Sequence, residues 1–308
     1  MVEFGNLPRH WSHPSHRPQA GLGASLISRS RIFLLTVLAM IAFAGNSLLC
    51  RQALKHTNID AASFTCIRII SGALALWLIV RLRDGTNCTK GNWPSAFALF
   101  AYAAAFSYAY ISLSVATGAL LLFGAVQTTM IGYGLWNGER PGLRQSTGFV
   151  CAFGGLAGLL LPGATAPPLA GCLLMLAAGA AWGIYSLRGK GAGDPTQVTA
   201  GNFLRAAPMA LALSVVSFPW MSLDSSGVFY AIVSGALASG VGYAIWYSAL
   251  RGLSATSAAS VQLSVPVIAA TGGIVFLGES ITWRLLIASA AILGGIALVI
   301  FRRQAGPR

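Results

Sequence analysis

Residues 257–279 read SAASVQLSVPVIAATGGIVFLGE, a run of 22 uncharged residues that ends in a single glutamate. About 20 mainly apolar residues are enough to cross the hydrocarbon core of a bilayer as a helix. The whole chain has the same character, since 56% of its 308 residues are hydrophobic and only 9% are charged. A soluble domain carries about 25% charged residues. The stretch therefore predicts a membrane-spanning helix within a membrane protein.

Similar apolar runs recur along the chain, and together they predict an all-α polytopic membrane protein with ten transmembrane helices. Glycine and proline within the runs do not argue against helix, because membrane helices tolerate both. The ten predicted spans are 32–50, 62–80, 93–111, 115–136, 145–161, 168–187, 198–217, 227–249, 255–277 and 283–301.

The Gly-Glu pair that ends the quoted stretch has an earlier counterpart, which indicates an internal repeat. Gly278-Glu279 superimposes on Gly138-Glu139 at an offset of 140 residues, and Arg205 falls on Arg68 at an offset of 137. Five helices per repeat is an odd number, so the second repeat must be inverted in the membrane, an arrangement typical of secondary transporters. The predicted organisation is a tail at 1–30, repeats at 31–162 and 163–303, and a tail at 304–308.

The net charge of +13 is distributed so that it predicts orientation. With the N-terminus in the cytoplasm, 15 of the Lys and Arg residues fall in inside segments and 3 in outside loops. This asymmetry follows the positive-inside rule. We therefore expect a multi-pass inner-membrane protein with both termini cytoplasmic and the lipid bilayer as its partner, and no nucleic-acid partner.

Three phrases resemble the EamA-type transporters of the drug/metabolite transporter superfamily. They are IDAASFTCIRIISGALAL at 59–76, the two Gly-Glu pairs, and the run at 257–279. The resemblance implies a metabolite exporter and extends, as an expectation, to the branch that exports aromatic amino acids. Members often carry a proline midway along the fourth and ninth helices. Pro266 fills the second place and is a candidate hinge, whereas Val126 occupies the first.

Four charged residues near helix ends suggest contacts between the repeats. The topology permits the pairs Arg68–Glu279 and Arg205–Glu139, one toward each face, and we hypothesise that they act as gates or structural ties. The alternative is that each arginine binds carbonyls at a helix end while each glutamate faces water.

A substrate site between the repeats should combine aromatic and polar side chains in mid-helix. Each candidate also has an ordinary role, since Trp and Tyr anchor helices at the membrane interface and Asn and Gln bond across helices. The candidate substrate-binding residues are Asn46, Tyr102, Gln127, Trp182, Tyr185, Tyr243, Gln262 and Ser264.

These features favour a secondary transporter that exports small amphipathic metabolites, amino acids including aromatic ones, by alternating access. No Asp, Glu or His falls in the middle of a predicted span, which favours facilitated diffusion over a carboxylate-based proton relay. The alternatives are a proton-coupled multidrug exporter and a membrane-embedded enzyme, which would need a catalytic set that the spans lack. We expect no cofactor, and the His10, His13 and His16 cluster is read as a polar tail rather than a metal site.

Overall fold

A computed structural model describes residues 22–85, 90–136, 138, 142–163, 166–189, 193–250, 252–253, 258 and 261–300. The regular secondary structure of this part of the chain is helical throughout. The helices are α1 Leu22–His56, α2 Ala61–Asp84, α3 Trp93–Tyr110, α4 Val115–Trp136, α5 Leu143–Leu160, α6 Leu169–Arg188, α7 Pro195–Val216, α8 Ser225–Leu250, α9 Ser264–Leu277 and α10 Trp283–Ile300, with a short 3₁₀ turn at Phe218–Trp220.

Six of the described helices are long and apolar enough to cross a membrane, namely α1, α2, α4, α6, α7 and α8. The apolar segments of α9 and α10 are shorter. Large hydrophobic side chains cover much of the outer surface, as Phe33, Leu82 and Phe276 illustrate by their exposure. A water-soluble protein would not expose so much apolar surface, so the chain is a multi-pass membrane protein.

Short polar side chains set where several helices begin. Asp60, Asn92, Asp194 and Asp224 accept hydrogen bonds from first-turn N–H groups of α2, α3, α7 and α8. Such caps satisfy N–H groups that have no partner within the helix. Three of the chain's few acidic residues therefore lie at helix ends rather than within the bundle.

Helix packing follows a two-fold pattern. The helix α6 packs against α3 and α4, and α1 packs in the same way against α8 and α9. The remaining large contacts pair α2 with α7 and with α8, α3 with α7, α4 with α9, and α5 with α10. If each helix is exchanged for the one five places along the chain, the same set of contacts is obtained.

Helices that are paired across this pattern run antiparallel. In α5 and α10, Gly148 lies against Gly295 while Gly155 lies against Ala291, so the two helices run in opposite directions. These glycines let the two backbones come into direct contact, as small residues do in membrane helix pairs. The end of α9 lies at the start of α4 in the same manner, because Glu279 binds the backbone N–H of Val115.

The helix α8 contains a wide π-helical segment, Val233–Val241. Gly235 within it lies directly on the backbone carbonyl of Arg68 in α2, where a larger residue would collide. π-Helical segments are uncommon and are frequently found at functional sites. This segment brings α8 close to α2 at the level of Arg68.

One predicted boundary is wrong. The helix α1 continues to His56, so Arg51 and Lys55 belong to its last turns rather than to a loop. The predicted ninth span is interrupted by a break at Leu263, after which α9 begins at Ser264, and residue 255, the predicted start of the span, lies outside the described residues. Pro266 is the physical reason for the break, because proline has no N–H and clashes with the carbonyl four residues earlier. Pro266 therefore lies in the first turn of α9, directly after the break, and its role as a hinge stays a prediction.

Candidate functional site

Aromatic side chains from several helices meet around Trp182 of α6. Its ring centroid lies 4.9 Å from that of Tyr102 in α3 and 5.0 Å from that of Tyr243 in α8, and it stacks on Tyr185 at 5.4 Å. Phe43 of α1 makes an edge contact with Tyr243 at 5.8 Å. The offset and edge geometries are those that aromatic rings prefer. An aromatic cluster therefore joins helices from both halves of the chain.

A chain of hydrogen bonds crosses the same region. The Ser234 hydroxyl in the π-helical segment donates to Oδ1 of Asn46 at 2.6 Å. Nδ2 of Asn46 donates in turn to the Tyr102 hydroxyl at 3.4 Å, and Nη2 of Arg68 donates to that hydroxyl at 3.0 Å. This network fixes the position of the polar groups of α1, α2, α3 and α8 relative to one another.

A small cavity of about 20 Å³ lies within this aromatic and polar cluster. That volume has room for about one water molecule. No charged side chain lines it among the described residues, and the residues of its wall include the amide of Asn46 and the hydroxyl groups of Ser47, Tyr102 and Tyr243. The lining residues are Phe43, Asn46, Ser47, Tyr102, Phe106, Leu122, Phe123, Trp182 and Tyr243. The cavity is therefore too small to hold an amino acid in this conformation.

One end of the bundle, here named the Glu279 end, is closed by an ionic cluster. Glu279 follows α9 and pairs with Nε of Arg51 in α1 at 3.3 Å, while its second oxygen accepts the Val115 N–H at 2.8 Å. Nη1 of Arg51 also donates to the carbonyls of Tyr110 and Ile111 at the end of α3. This end thus joins α1, α3 and α4 to α9.

The opposite end, here named the Asp194 end, is closed by a second cluster. Nη2 of Arg83 contacts Asp84 at 2.7 Å and Asp194 at 3.0 Å, and Gln197 donates to Asp84 at 2.8 Å. Partial burial raises the pKa of Asp194, but hydrogen bonds from Gln197 and Arg83 lower it by a larger amount. The pKa therefore lies below its ordinary value. The carboxylate is therefore ionised at neutral pH, and it links α2 to α7.

Four of the eight predicted substrate-binding residues lie together in the cavity wall: Asn46, Tyr102, Trp182 and Tyr243. Tyr185 adjoins them through its stacking on Trp182, although its hydroxyl donates to Thr199 at 3.4 Å.

The other three lie elsewhere. Gln127 is buried in α4 but does not line the cavity. Gln262 and Ser264 flank the break before α9, where the Ser264 hydroxyl donates to the Val261 carbonyl at 2.7 Å.

The predicted pair Arg68–Glu279 is not formed. Glu279 instead binds Arg51, because α1 extends far enough to place that arginine beside it. Arg205 donates to the carbonyls of Lys90 and Gly201 at 2.8 and 2.9 Å, and its predicted partner Glu139 lies outside the described residues. His10, His13 and His16 also lie outside them.

Phe43, Ser47 and Phe106 line the cavity but were absent from the predicted set. Two of them carried a detectable signal, since Ser47 follows Asn46 directly and Phe106 lies one turn after Tyr102 on the same helical face. Phe43 carried no comparable signal, because one more phenylalanine in an apolar run is not distinctive.

A bundle of apolar helices that encloses an aromatic and polar cavity, closed at both ends by ionic clusters, is the form of a small-molecule transporter. The model of the EamA-like transporter family matches twice, over residues 30–161 and 169–301. The chain belongs to the EamA-like transporter family, a family of transporters rather than enzymes.

Several known proteins are similar to this chain. It is 59% identical over 274 residues to the "Uncharacterized protein PA1977" of Pseudomonas aeruginosa, covering 89% of this chain and 96% of the relative. It is 36% identical over 132 residues to the threonine/homoserine exporter RhtA of Escherichia coli K12, covering 41% of this chain and 43% of RhtA. A solved crystal structure shares the fold at 18% identity and a TM-score of 0.62, covering 88% of this chain and 97% of its own.

Proposed function

We propose that this protein exports small amphipathic metabolites, most of all amino acids including aromatic ones, across the inner membrane. The observation that carries this proposal is the cavity wall shared by the two halves, with Trp182, Tyr102 and Tyr243 beside the amide of Asn46. Aromatic faces suit an apolar side chain, while amide and hydroxyl groups suit the polar end of a neutral or zwitterionic molecule.

The amino acid class has a second support in the similarity to the RhtA exporters. Their printed name gives threonine and homoserine as cargo, and the match spans less than half of their length. The wall of this cavity contains six aromatic residues, of which Tyr102 and Tyr243 contact Trp182, and this favours a bulkier cargo than threonine. A panel of amino acids, rather than threonine alone, is therefore the appropriate test.

The proposed architecture is ten membrane spans in two inverted repeats. Its supports are the two successive family matches, the two-fold contact pattern, and the antiparallel pairing of α4 with α9 and α5 with α10. The excess of Lys and Arg in alternate loops supports cytoplasmic termini. The Glu279 end would then face away from the cytoplasm and the Asp194 end toward it.

Alternating access requires that each end of the bundle can open while the other stays closed. We assign the gates to the clusters at the Glu279 end and the Asp194 end, since each ties elements of the first half to elements of the second. The hypothesised Arg205–Glu139 pair would add a further tie near the Asp194 end. With both clusters formed, the cavity measures only about 20 Å³, so the bundle must open before a substrate can enter.

The proposed coupling is facilitated diffusion down the substrate gradient. Among the described residues, no Asp, Glu or His lines the cavity. Proton-coupled carriers commonly relay through such groups inside the membrane. A carrier of this composition has no evident site to hold a coupling proton beside the substrate.

The test is counterflow of labelled phenylalanine, tryptophan, threonine and homoserine by the purified protein in liposomes, with and without a pH gradient. We expect saturable counterflow of at least one aromatic amino acid that does not depend on the gradient. Counterflow that disappears without the gradient would contradict facilitated diffusion. Transport of lipophilic cations without transport of any amino acid would contradict the proposed cargo and favour a multidrug exporter.

A further inference from the structure

Arg68 is a buried cation, and none of the carboxylates in the described part of the chain pairs with it. Its side chain is 2% exposed, among the most buried large side chains of the described residues. The carboxylates of Asp60, Asp84, Asp194, Asp224 and Glu279 all bind elsewhere, at helix caps or at the ends of the bundle. An arginine cannot avoid this cost by losing its proton, because the guanidinium stays protonated in proteins.

One side of the Arg68 guanidinium has partners in the protein, and the other side has none among the described residues. Nη2 donates to the Tyr102 hydroxyl at 3.0 Å, and the guanidinium carbon lies 4.8 Å from the ring centre of Phe106 and 5.3 Å from that of Tyr102. Nη1 is buried and has no hydrogen-bond partner within the described part of the chain. An unpaired charged donor in the interior is strongly unfavourable unless something else binds it.

The position of Arg68 relative to the cavity suggests what binds it. Both aromatic residues that contact Arg68, Tyr102 and Phe106, also line the cavity. The Tyr102 hydroxyl is the hydrogen-bond link between Arg68 and Asn46, so a molecule that displaced this ring would meet the guanidinium directly. A planar guanidinium is well suited to bind a carboxylate through two parallel hydrogen bonds.

We propose that Arg68 binds the carboxylate of the transported molecule, so that the carrier selects carboxylate-bearing substrates over their neutral or cationic analogues. This inference rests on the proposed function and deepens it. The substrate carboxylate reaches Nη1 when Tyr102 moves aside, and the apolar part of the substrate occupies the aromatic wall around Trp182. A bound carboxylate would thereby satisfy the buried Nη1 donor, which has no partner among the described residues.

The experiment compares L-phenylalanine with L-phenylalaninamide and phenethylamine, which lack the carboxylate, as competitors of phenylalanine counterflow in liposomes. The wild-type protein should bind the two analogues about ten- to hundredfold more weakly, the range expected for loss of charged hydrogen bonds. Arg68→Gln should weaken the binding of phenylalanine by a similar factor and leave the binding of the two analogues unchanged. The protein would then no longer discriminate between phenylalanine and the analogues. Arg68→Lys should keep part of the discrimination.

Arg284→Gln is the matched control, because it removes an arginine outside the cavity wall, near the Pro162 carbonyl, and should retain full discrimination. Equal discrimination by the wild type and Arg68→Gln would overturn the inference while leaving amino acid export intact.

If the wild type transports none of the panel, the proposed cargo is wrong, and the melting temperature then decides the role of Arg68. Arg68→Gln melting at or above the wild-type temperature would support a site kept charged for an anion. A fall of about 2 °C or more would show a structural arginine and overturn the inference.

Discussion

The Arg51 guanidinium and the Glu279 carboxylate lie 3.3 Å apart, although 228 residues separate them in the chain. Arg51 comes from the last turns of α1 and Glu279 from the residues after α9. Gly278, with φ of 63°, takes the left-handed conformation that ends α9 and turns Glu279 toward α4. The Gly-Glu phrase at 278–279 is therefore a helix stop followed by a carboxylate that binds the first half.

Replacing Glu279 by alanine removes the partner of two groups, the Arg51 guanidinium and the Val115 N–H. A partly buried donor that loses its partner costs about 1–3 kcal/mol. We expect Glu279→Ala to lower the melting temperature of the purified protein by a few degrees. It should also make a cysteine placed at Ser47, which is buried in the cavity wall, more accessible to a membrane-impermeant thiol reagent.

Glu279→Gln is the informative comparison, since glutamine keeps an acceptor for the Val115 N–H but loses the charge. It should lie between the wild type and Glu279→Ala in both measurements. If Gln and Ala behave alike, the backbone contact contributes nothing and only the charge matters. If neither change affects accessibility, the cluster is not a gate.

Trp182 is the residue whose removal should affect transport most, because three other rings of the cluster pack directly on it. Trp182→Ala should reduce counterflow of aromatic amino acids by at least about tenfold, equivalent to about 1.4 kcal/mol of lost binding. Trp182→Phe should recover part of the activity by restoring a ring. Trp220→Ala serves as control, since this tryptophan is 76% exposed in the turn before α8.

Much of the architecture could be predicted from hydropathy, since the bilayer dictates the length and composition of a spanning segment. The ends of the helices were harder to predict from the sequence. The break before α9 depends on where Pro266 loses its hydrogen bond, and the extension of α1 to His56 depends on contacts that Arg51 makes with α3 and Glu279. Those contacts are tertiary, and hydropathy does not contain them.

The candidate site could likewise be predicted only in part from the sequence. Trp182, Tyr102, Tyr243 and Asn46 could be identified because aromatic and amide groups are conspicuous in apolar helices. The partner of Arg68 could not, because charge complementarity alone favours Glu279, whereas the structure surrounds Arg68 with Tyr102 and Phe106. Pairing by charge ignores the rotation of a helix about its axis, which here turns Arg68 toward the interior.

At the Asp194 end, Asp194→Asn isolates the charge, because asparagine can still cap α7 through its side-chain oxygen. The pKa of Asp194 is lowered below 3.8 in the folded protein, so its ionised form contributes stability above that pH and the contribution is lost as the pH falls through the folded value. We expect a melting-temperature difference between wild type and Asp194→Asn that is constant from pH 8 to 5 and shrinks below about pH 3.8.

Asp224→Asn provides the matched control, since Asp224 caps α8 through Gly227 and forms no ion pair among the described residues. It should differ little from the wild type between pH 8 and 5. A difference for Asp194→Asn that varied across this range would indicate that another titrating group controls the cluster.

The inverted arrangement itself can be tested by labelling single cysteines at positions 139 and 280 in a variant that lacks the five native cysteines. The end of α9 lies beside the start of α4, so the two Gly-Glu phrases should lie at opposite ends of the bundle. In intact cells, an impermeant maleimide should label Ser280→Cys, whereas Glu139→Cys should be labelled only after the membrane is opened, because the basic loops should face the cytoplasm. Labelling of both positions from the same side would rule out inverted repeats, and the two gates would then have to be assigned to one face.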